Sequence, residues 1–217
     1  MKKLKILERI HAVGVVPVLR ATSAKEAMTI ADAIVAGGVT VLEITMTVPG
    51  AIHVMEQLVQ HHGEQLLIGA GTVLDAETAR ACILAGAQFV VSPALDVRTI
   101  ELCRRYSVPV LPGALTPTEI VTAWQAGADV VKVFPCSALG GAKYLKALQG
   151  PLPQIPLIPT GGVSLSTAEE FLAAGAFALG VGGDLVDAKA AAQGHTEVIT
   201  ENARKYIGIV RNFRYTQ

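Results

Sequence analysis

The sequence predicts an α/β fold, a (β/α)8 TIM barrel with an additional N-terminal helix, and three observations predict it. Short apolar runs rich in Val, Ile and Leu alternate with longer Ala-rich segments of helical period, the pattern of βα units around a parallel sheet. The runs show almost no polar alternation, so both faces of the sheet must be covered, as in a barrel ringed by helices. An Ala-Gly-Gly or Ala-Gly-Ala echo recurs at Gly37, Gly86, Gly127 and Gly175, in steps of 49, 41 and 48 residues, each time just ahead of a strand. Each step holds two βα units, and four double units make eight strands. Glycine at that point fits the left-handed residue that ends a helix.

The elements follow in order. An N-terminal helix over 4–10 precedes strands over 13–19, 39–45, 66–70, 88–92, 108–111, 129–134, 156–160 and 176–181. Three helix starts carry the capping box, a hydroxyl followed three residues later by Glu: Ser23 with Glu26, Thr116 with Glu119, and Ser166 with Glu169. Pro117 adds the favoured first helical residue to the second of these. A C-terminal helix carries Ile199, Ala203, Ile207 and Val210 on one stripe. A doubly wound open sheet is the rival, but no G-x-G-x-x-G follows the first strand. No linker or low-complexity stretch interrupts the chain, so one barrel domain over 1–217 is expected.

Composition narrows the function classes. With 51% hydrophobic but only 5% aromatic residues, the core must be built from Val, Ile, Leu and Ala. Eighteen basic and eighteen acidic residues offer no bulk attraction to nucleic acid or to an anionic membrane. An anionic ligand must therefore be held by local groups. Cys82, Cys103 and Cys136 are odd in number and lack metal-ligand spacing, which argues against disulfides and for a reducing cytoplasm. The first residues lack the apolar run of a signal peptide, and the other apolar runs are too short to span a bilayer.

In barrels of this kind the active site lies at the C-terminal ends of the strands. Here those ends carry Arg20; Glu43 and Thr45; Gly71 and Thr72; Ser92 and Pro93; Pro112 and Gly113; Lys132 and Phe134; Thr160, Gly161 and Gly162; Gly182 and Gly183. Polar groups and glycines gather at one rim above apolar strand bodies. Within Val-Val-Lys-Val-Phe, alternation points Lys132 to the same side as Val130 and Phe134. An unpartnered ammonium buried among valines costs several kcal/mol, which favours the uncharged amine that carbonyl attack requires. The competing explanation is a packed stem with its head at the rim.

Glu43 lies in Val-Leu-Glu-Ile-Thr, and a buried carboxyl there suits general acid/base work or partnership with a buried base, Lys132 itself included. Arg20 suits a bidentate grip on a carboxylate or phosphate, although an exposed loop charge explains it equally. Thr72 follows Gly69-Ala70-Gly71, where backbone can approach a ligand closely; a simple turn uses the same residues. The double glycines of Pro159-Thr160-Gly161-Gly162-Val163 and Gly180-Val181-Gly182-Gly183-Asp184 match the phosphate loops after strands seven and eight of many barrels, against a background of plain turn geometry. His61-His62 reads as a solvated pair, His11, His53 and His195 are scattered, and no metal site is expected. Cys136 has no evident base. Trp124 and Tyr144 fall on helical segments and are expected to pack.

Val-Leu-Glu-Ile-Thr, Ile-Gly-Ala-Gly-Thr-Val, Val-Ser-Pro, Pro-Gly-Ala-Leu-Thr-Pro-Thr-Glu, Val-Lys-Val-Phe-Pro and Pro-Thr-Gly-Gly-Val together resemble the 2-keto-3-deoxy-6-phosphogluconate (KDPG) / 4-hydroxy-2-oxoglutarate (KHG) aldolase family, in order along almost the whole chain. The resemblance implies retro-aldol cleavage to pyruvate plus glyceraldehyde 3-phosphate, or plus glyoxylate from the shorter substrate. It implies Lys132 as Schiff-base lysine and Glu43 as acid/base. Arg20 and Thr72 would surround the 2-oxo acid carboxylate, with Pro93, Phe134 and Thr160 lining the pocket. Gly161, Gly162, Gly182 and Gly183 would cradle phosphate. No cofactor and no metal are implied, and a homotrimer is.

Two departures bear on substrate preference. Thr47 stands where many relatives have Arg, and Gly183 where many have Ser. The alternatives are a sugar-phosphate epimerase or decarboxylase with Lys132 as proton donor and, from another class, a barrel-based assembly scaffold or ligand-binding protein derived from such an aldolase.

Overall fold

The computed structural model describes residues 3–187, 190–191 and 193–216. Along the chain run α1 (Lys3–Val13), β1 (Val15–Leu19), α2 (Ala24–Ala36), β2 (Val41–Thr45), α3 (Ala51–His62), β3 (Leu67–Gly71), α4 (Ala76–Leu84) and β4 (Phe89–Val91). There follow α5 (Val97–Arg105), β5 (Val110–Leu111), β6 (Gly113–Ala114), α6 (Pro117–Ala126), β7 (Val131–Val133) and α7 (Ala142–Gln149). The last elements are β8 (Leu157–Pro159), α8 (Ala168–Ala173), β9 (Leu179–Val181) and α9 (Thr196–Tyr215).

Every strand pairing is parallel, in the orders β5-β4-β3-β2-β1-β9 and β6-β7-β8. The two arcs close on each other. β5 and β6 are halves of one stave interrupted at Pro112, which has no N–H to give the ladder. Val110 and Leu111 pair with Val90 and Val91, whereas Gly113 and Ala114 pair with Lys132 and Val133. On the other side a bridge between Thr160 and Gly180, with Phe177 N donating to Leu157 O at 2.8 Å, joins β8 to β9. Eight staves result, as the apolar runs predict, on a (β/α)8 barrel. Most are shorter than the apolar runs at their start because the first residues leave the preceding helix; Gly14, for example, turns at φ +70°.

Alternation divides the strand residues between two cores. Val15, Leu19, Leu42, Ile44, Ile68, Ala70, Val90, Val131, Val133 and Leu179 pack outward against the helices. Val16, Val41, Leu67, Phe89, Val91, Leu111, Val130, Ile158 and Ala178 fill the interior. Ile6 and Ile10 of α1 join this inner cluster, so the extra helix plugs the N-terminal mouth of the barrel. Each such buried aliphatic side chain contributes about 1.5–3 kcal/mol. Lys3 pins the plug through Asp129 at 2.8 Å, and Asp129 also accepts from Val110 N at 2.9 Å. The inward positions above this floor are where the chemistry sits.

The helix signals hold unevenly. Thr116 and Glu119 form the full reciprocal box. Ser23 caps Glu26 N, but Glu26 returns its carboxylate to Thr22. Ser166 does not cap α8: that helix starts at Ala168, and Thr167 Oγ1 is taken by Gly162 O and Ser164 N, both at 2.9 Å. Gly86, Gly127 and Gly175 are left-handed as the echo requires; in the first repeat the role passes from Gly37, φ −81°, to Gly38, φ +91°. Gly37 is needed for another reason. A Cβ there would come within 2.4 Å of Ala203 Cβ on α9.

Candidate active site

Strand alternation decides which side chains reach the barrel axis above the floor. Glu43 lies one inward step beyond Val41, and Lys132 one step beyond Val130. Their side chains are 3% and 7% exposed, and Lys132 Nζ stands 3.6 Å from Glu43 Oε1. The amine also lies 5.6 Å from the centre of the Phe134 ring. Glycines hollow the barrel at this level. A Cβ at Gly71 would fall 2.0 Å from Glu43 Oε1, one at Gly69 2.3 Å from the Phe89 ring, and one at Gly180 2.1 Å from Thr160 Oγ1.

Above the pair opens a cavity of about 330 Å³. Among the residues lining it are Arg20, Thr72, Pro93, Lys132, Phe134, Thr160, Gly161, Gly162, Gly182 and Gly183. The rim residues proposed from sequence thus converge on one space, with Glu43 behind Lys132. Arg20 is exposed and makes no ion pair or hydrogen bond among the described residues, so its guanidinium is free for an anion. Thr72 adopts φ +57°, a left-handed backbone that is unusual for a threonine. Among the described residues Thr160 Oγ1 and Glu43 Oε1 are buried without a hydrogen-bond partner, the latter 3.6 Å from Lys132 Nζ. Leaving such an atom unsatisfied costs about 1–3 kcal/mol, a cost that a ligand in the cavity would remove at Thr160, which lines it.

The two glycine loops differ in kind. Gly161 (φ +90°) and Gly162 (φ +78°) require glycine, and a Cβ at Gly162 would meet Ser137 Cβ at 2.7 Å. At Gly182 and Gly183 a Cβ would meet nothing within 4 Å among the described residues. Ser92 does not face a ligand freely, because its hydroxyl donates to Ala94 O at 2.6 Å and accepts from Gly113 N at 3.4 Å. Thr45 likewise donates to Leu19 O at 3.0 Å, and its oxygen lies 2.7 Å from that of Thr47. Thr47 is exposed and does not line the cavity.

Three lining residues were not singled out from sequence: Val18, Val163 and Asp184. Val18 was recoverable, since it sits two residues before Arg20 on the same strand face. Asp184 was not. Its Oδ2 accepts from Tyr206 OH at 2.5 Å and Leu165 N at 3.0 Å, joining the second glycine loop to α9 and to the first loop. Burial, and then the bond to Asp184, push the Tyr206 phenol well above its ordinary range. Cys136 is buried and its thiol is pushed up to about 11 by burial. Tyr144 packs partly and donates to Leu115 O, whereas Trp124 is exposed on α6 rather than packed. The His61-His62 pair is only half solvated: His61 is exposed, but the His62 side chain is 9% exposed.

A family model described as KDPG and KHG aldolase matches residues 6–202. The chain belongs to the KDPG and KHG aldolase family. A 2-dehydro-3-deoxy-phosphogluconate aldolase of Treponema pallidum is 34% identical over 207 residues, 95% of this chain and 98% of that protein. The KHG/KDPG aldolase of Escherichia coli K12 is 36% identical over 194 residues, 89% of this chain and 90% of its own. Among solved structures, the KDPG aldolase of Legionella pneumophila, with pyruvate captured as a covalent carbinolamine intermediate, superposes with a TM-score of 0.85. Its identity is 32% over 92% of this chain and 96% of that one. No helix among the described residues is long and apolar enough to cross a membrane.

Proposed function

We propose that this chain is a class I, Schiff-base aldolase that cleaves 2-keto-3-deoxy-6-phosphogluconate to pyruvate and glyceraldehyde 3-phosphate, and/or 4-hydroxy-2-oxoglutarate to pyruvate and glyoxylate. The observation that carries this reading is a lysine amine 3.6 Å from a glutamate oxygen, both nearly excluded from water beneath a polar-rimmed cavity. Attack on a carbonyl needs the amine uncharged, and Glu43 is the group near enough to take that proton and return it.

Lys132 Nζ bonds to C2, and the carbonyl oxygen, receiving a proton through Glu43, becomes the hydroxyl of a carbinolamine. That hydroxyl leaves as water with a second proton, and a cationic iminium remains. The iminium accepts the C3–C4 bonding electrons while the Glu43 carboxylate removes the C4 hydroxyl proton, so the aldehyde departs and an enamine is left. Protonation at C3 and hydrolysis of the iminium release pyruvate and free the amine. Arg20 and Thr72 hold the substrate carboxylate, and Pro93, Phe134 and Thr160 shape the middle of the pocket. Backbone N–H groups at Gly161, Gly162, Gly182 and Gly183 receive a terminal phosphate. No metal ion takes part in these steps.

The reading takes the chain as one catalytic domain, assembled as a homotrimer in a reducing cytoplasm; three free, buried cysteines support the last point. The test is pyruvate release followed with a coupled dehydrogenase, across phosphorylated and unphosphorylated 2-oxo acids and with a chelator present. Turnover that survives the chelator is expected. Absence of pyruvate from every 4-hydroxy-2-oxo acid overturns the reading.

A further inference from the structure

Helix α3 runs back from the C-terminal rim to the foot of the barrel, so its last residues lie at the end opposite the cavity. There His61 and His62 meet Asp32 from the neighbouring helix α2. Their nitrogen and oxygen ligand atoms all lie within 4.8 Å of one another. His62 Nε2 is 3.0 Å and His61 Nε2 3.7 Å from Asp32 Oδ1. Adjacent residues on a helix point about 100° apart, and the two rings reach one carboxylate at the end of α3, where Gly63 turns the chain at φ +54°.

We propose that Asp32, His61 and His62 form a site for a divalent transition-metal ion, zinc being the type case. Three points carry it. The donor set is two imidazole nitrogens and one carboxylate oxygen, the borderline set that suits such ions. With metal–ligand bonds of about 2.0–2.1 Å, a tetrahedral site needs ligand atoms about 3.3 Å apart, and the two Asp32 separations, 3.0 and 3.7 Å, bracket that value. The His62 side chain is 9% exposed, and its buried Nε2 stands 3.0 Å from Asp32 Oδ1 without a well-aligned hydrogen bond among the described residues. A Lewis acid between the two groups would take the neutral imidazole nitrogen and the carboxylate oxygen together as ligands.

The frame is held in place beforehand. Arg9 of α1 donates to Glu64 O at 2.7 Å, to Thr40 O at 3.1 Å and to Gln65 O, fixing the chain directly after His62. With three protein ligands, the fourth position is left to water. Because the ion bridges α2 and α3 at the foot of the barrel, it adds a cross-link between helices without touching Lys132 or Glu43.

The experiment titrates the full chain with Zn²⁺ alone, reading stoichiometry by calorimetry and thermal midpoint by circular dichroism, and repeats the titration with Co²⁺ to read visible absorption. One ion per chain, a higher midpoint and the visible bands of four-coordinate cobalt are expected. Asp32→Asn and His61→Ala alter exposed side chains and leave the fold intact, so each must lose both the binding and the midpoint shift; His62→Ala should do the same. Binding that persists unchanged in Asp32→Asn and His61→Ala, or no binding by the parent chain, overturns the proposal.

Discussion

Gly71→Ala is the sharpest probe of how the barrel positions its glutamate. Gly71 belongs to β3 and has no left-handed backbone, so alanine is compatible with its conformation. The conflict is purely one of space. The new Cβ would lie 2.0 Å from Glu43 Oε1, 2.4 Å from Cγ and 2.5 Å from Cδ, where side-chain contacts under 3.0 Å are essentially never seen. The carboxylate must retreat by at least about 1 Å, and a misplacement of that size costs about a hundredfold in rate, or ~2.7 kcal/mol of transition-state stabilisation. Overpacking should also lower stability by about 1–3 kcal/mol. Steady-state pyruvate release reads the first effect and urea unfolding the second. Combining the change with Glu43→Ala should recover much of the stability and lose little further activity, the non-additivity expected of residues in contact. A folded Gly71→Ala protein with kcat within about twofold of the parent would refute the argument that Glu43 must stand where it does.

The other predictions concern specificity, thiols and acid stability. Gly183→Ser adds a hydroxyl where a Cβ meets nothing within 4 Å among the described residues, so it should change stability by less than about 0.5 kcal/mol and lower KM for phosphorylated substrates selectively; parallel kinetics on phosphorylated and unphosphorylated substrates check this. Burial pushes the Cys82, Cys103 and Cys136 thiols up to about 11, 12 and 11, so a thiol reagent should react slowly with the folded protein through the mildly alkaline range and rapidly once urea exposes them. Glu119 is held below the usual carboxylate range by the Thr116 backbone N–H, then by that of Leu115, and Glu26 by the Thr22 hydroxyl and then its N–H. A depressed folded value contributes stability above the unfolded pKa that is lost as pH falls through the folded one. Glu119→Gln should therefore lower the melting temperature near neutral pH and converge with the parent in acid. Thr116→Ala removes the hydroxyl half of the same cap and should cost about 0.5–2 kcal/mol by urea unfolding.

Eight staves were legible because each is a short apolar run between longer helical segments, with glycine ahead of every second one, and alternation then put Lys132 and Glu43 on the inner face. Rim residues such as Arg20, Pro93 and Thr160 could be named because each follows its strand directly. What escaped depended on contacts distant in sequence. Tyr206 orders Asp184 across 22 residues, and Asp32 reaches the two histidines from another helix. No spacing rule announces either contact. Ser166 misled because its spacing to Glu169 fits a cap, while Thr167 is tied back to the glycine loop and delays the helix. Gly37 misled by one residue: two glycines in a row left the choice of left-handed residue to the packing of α9.

The central claim is that Lys132 forms a covalent imine with a 2-oxo acid. Borohydride reduction in the presence of pyruvate, followed by peptide mass spectrometry, tests it most directly. One reduced pyruvate on Lys132 is predicted, with none after Lys132→Arg. Active enzyme that turns over its substrate yet shows no adduct at that residue, or carries the adduct on another lysine, would contradict it.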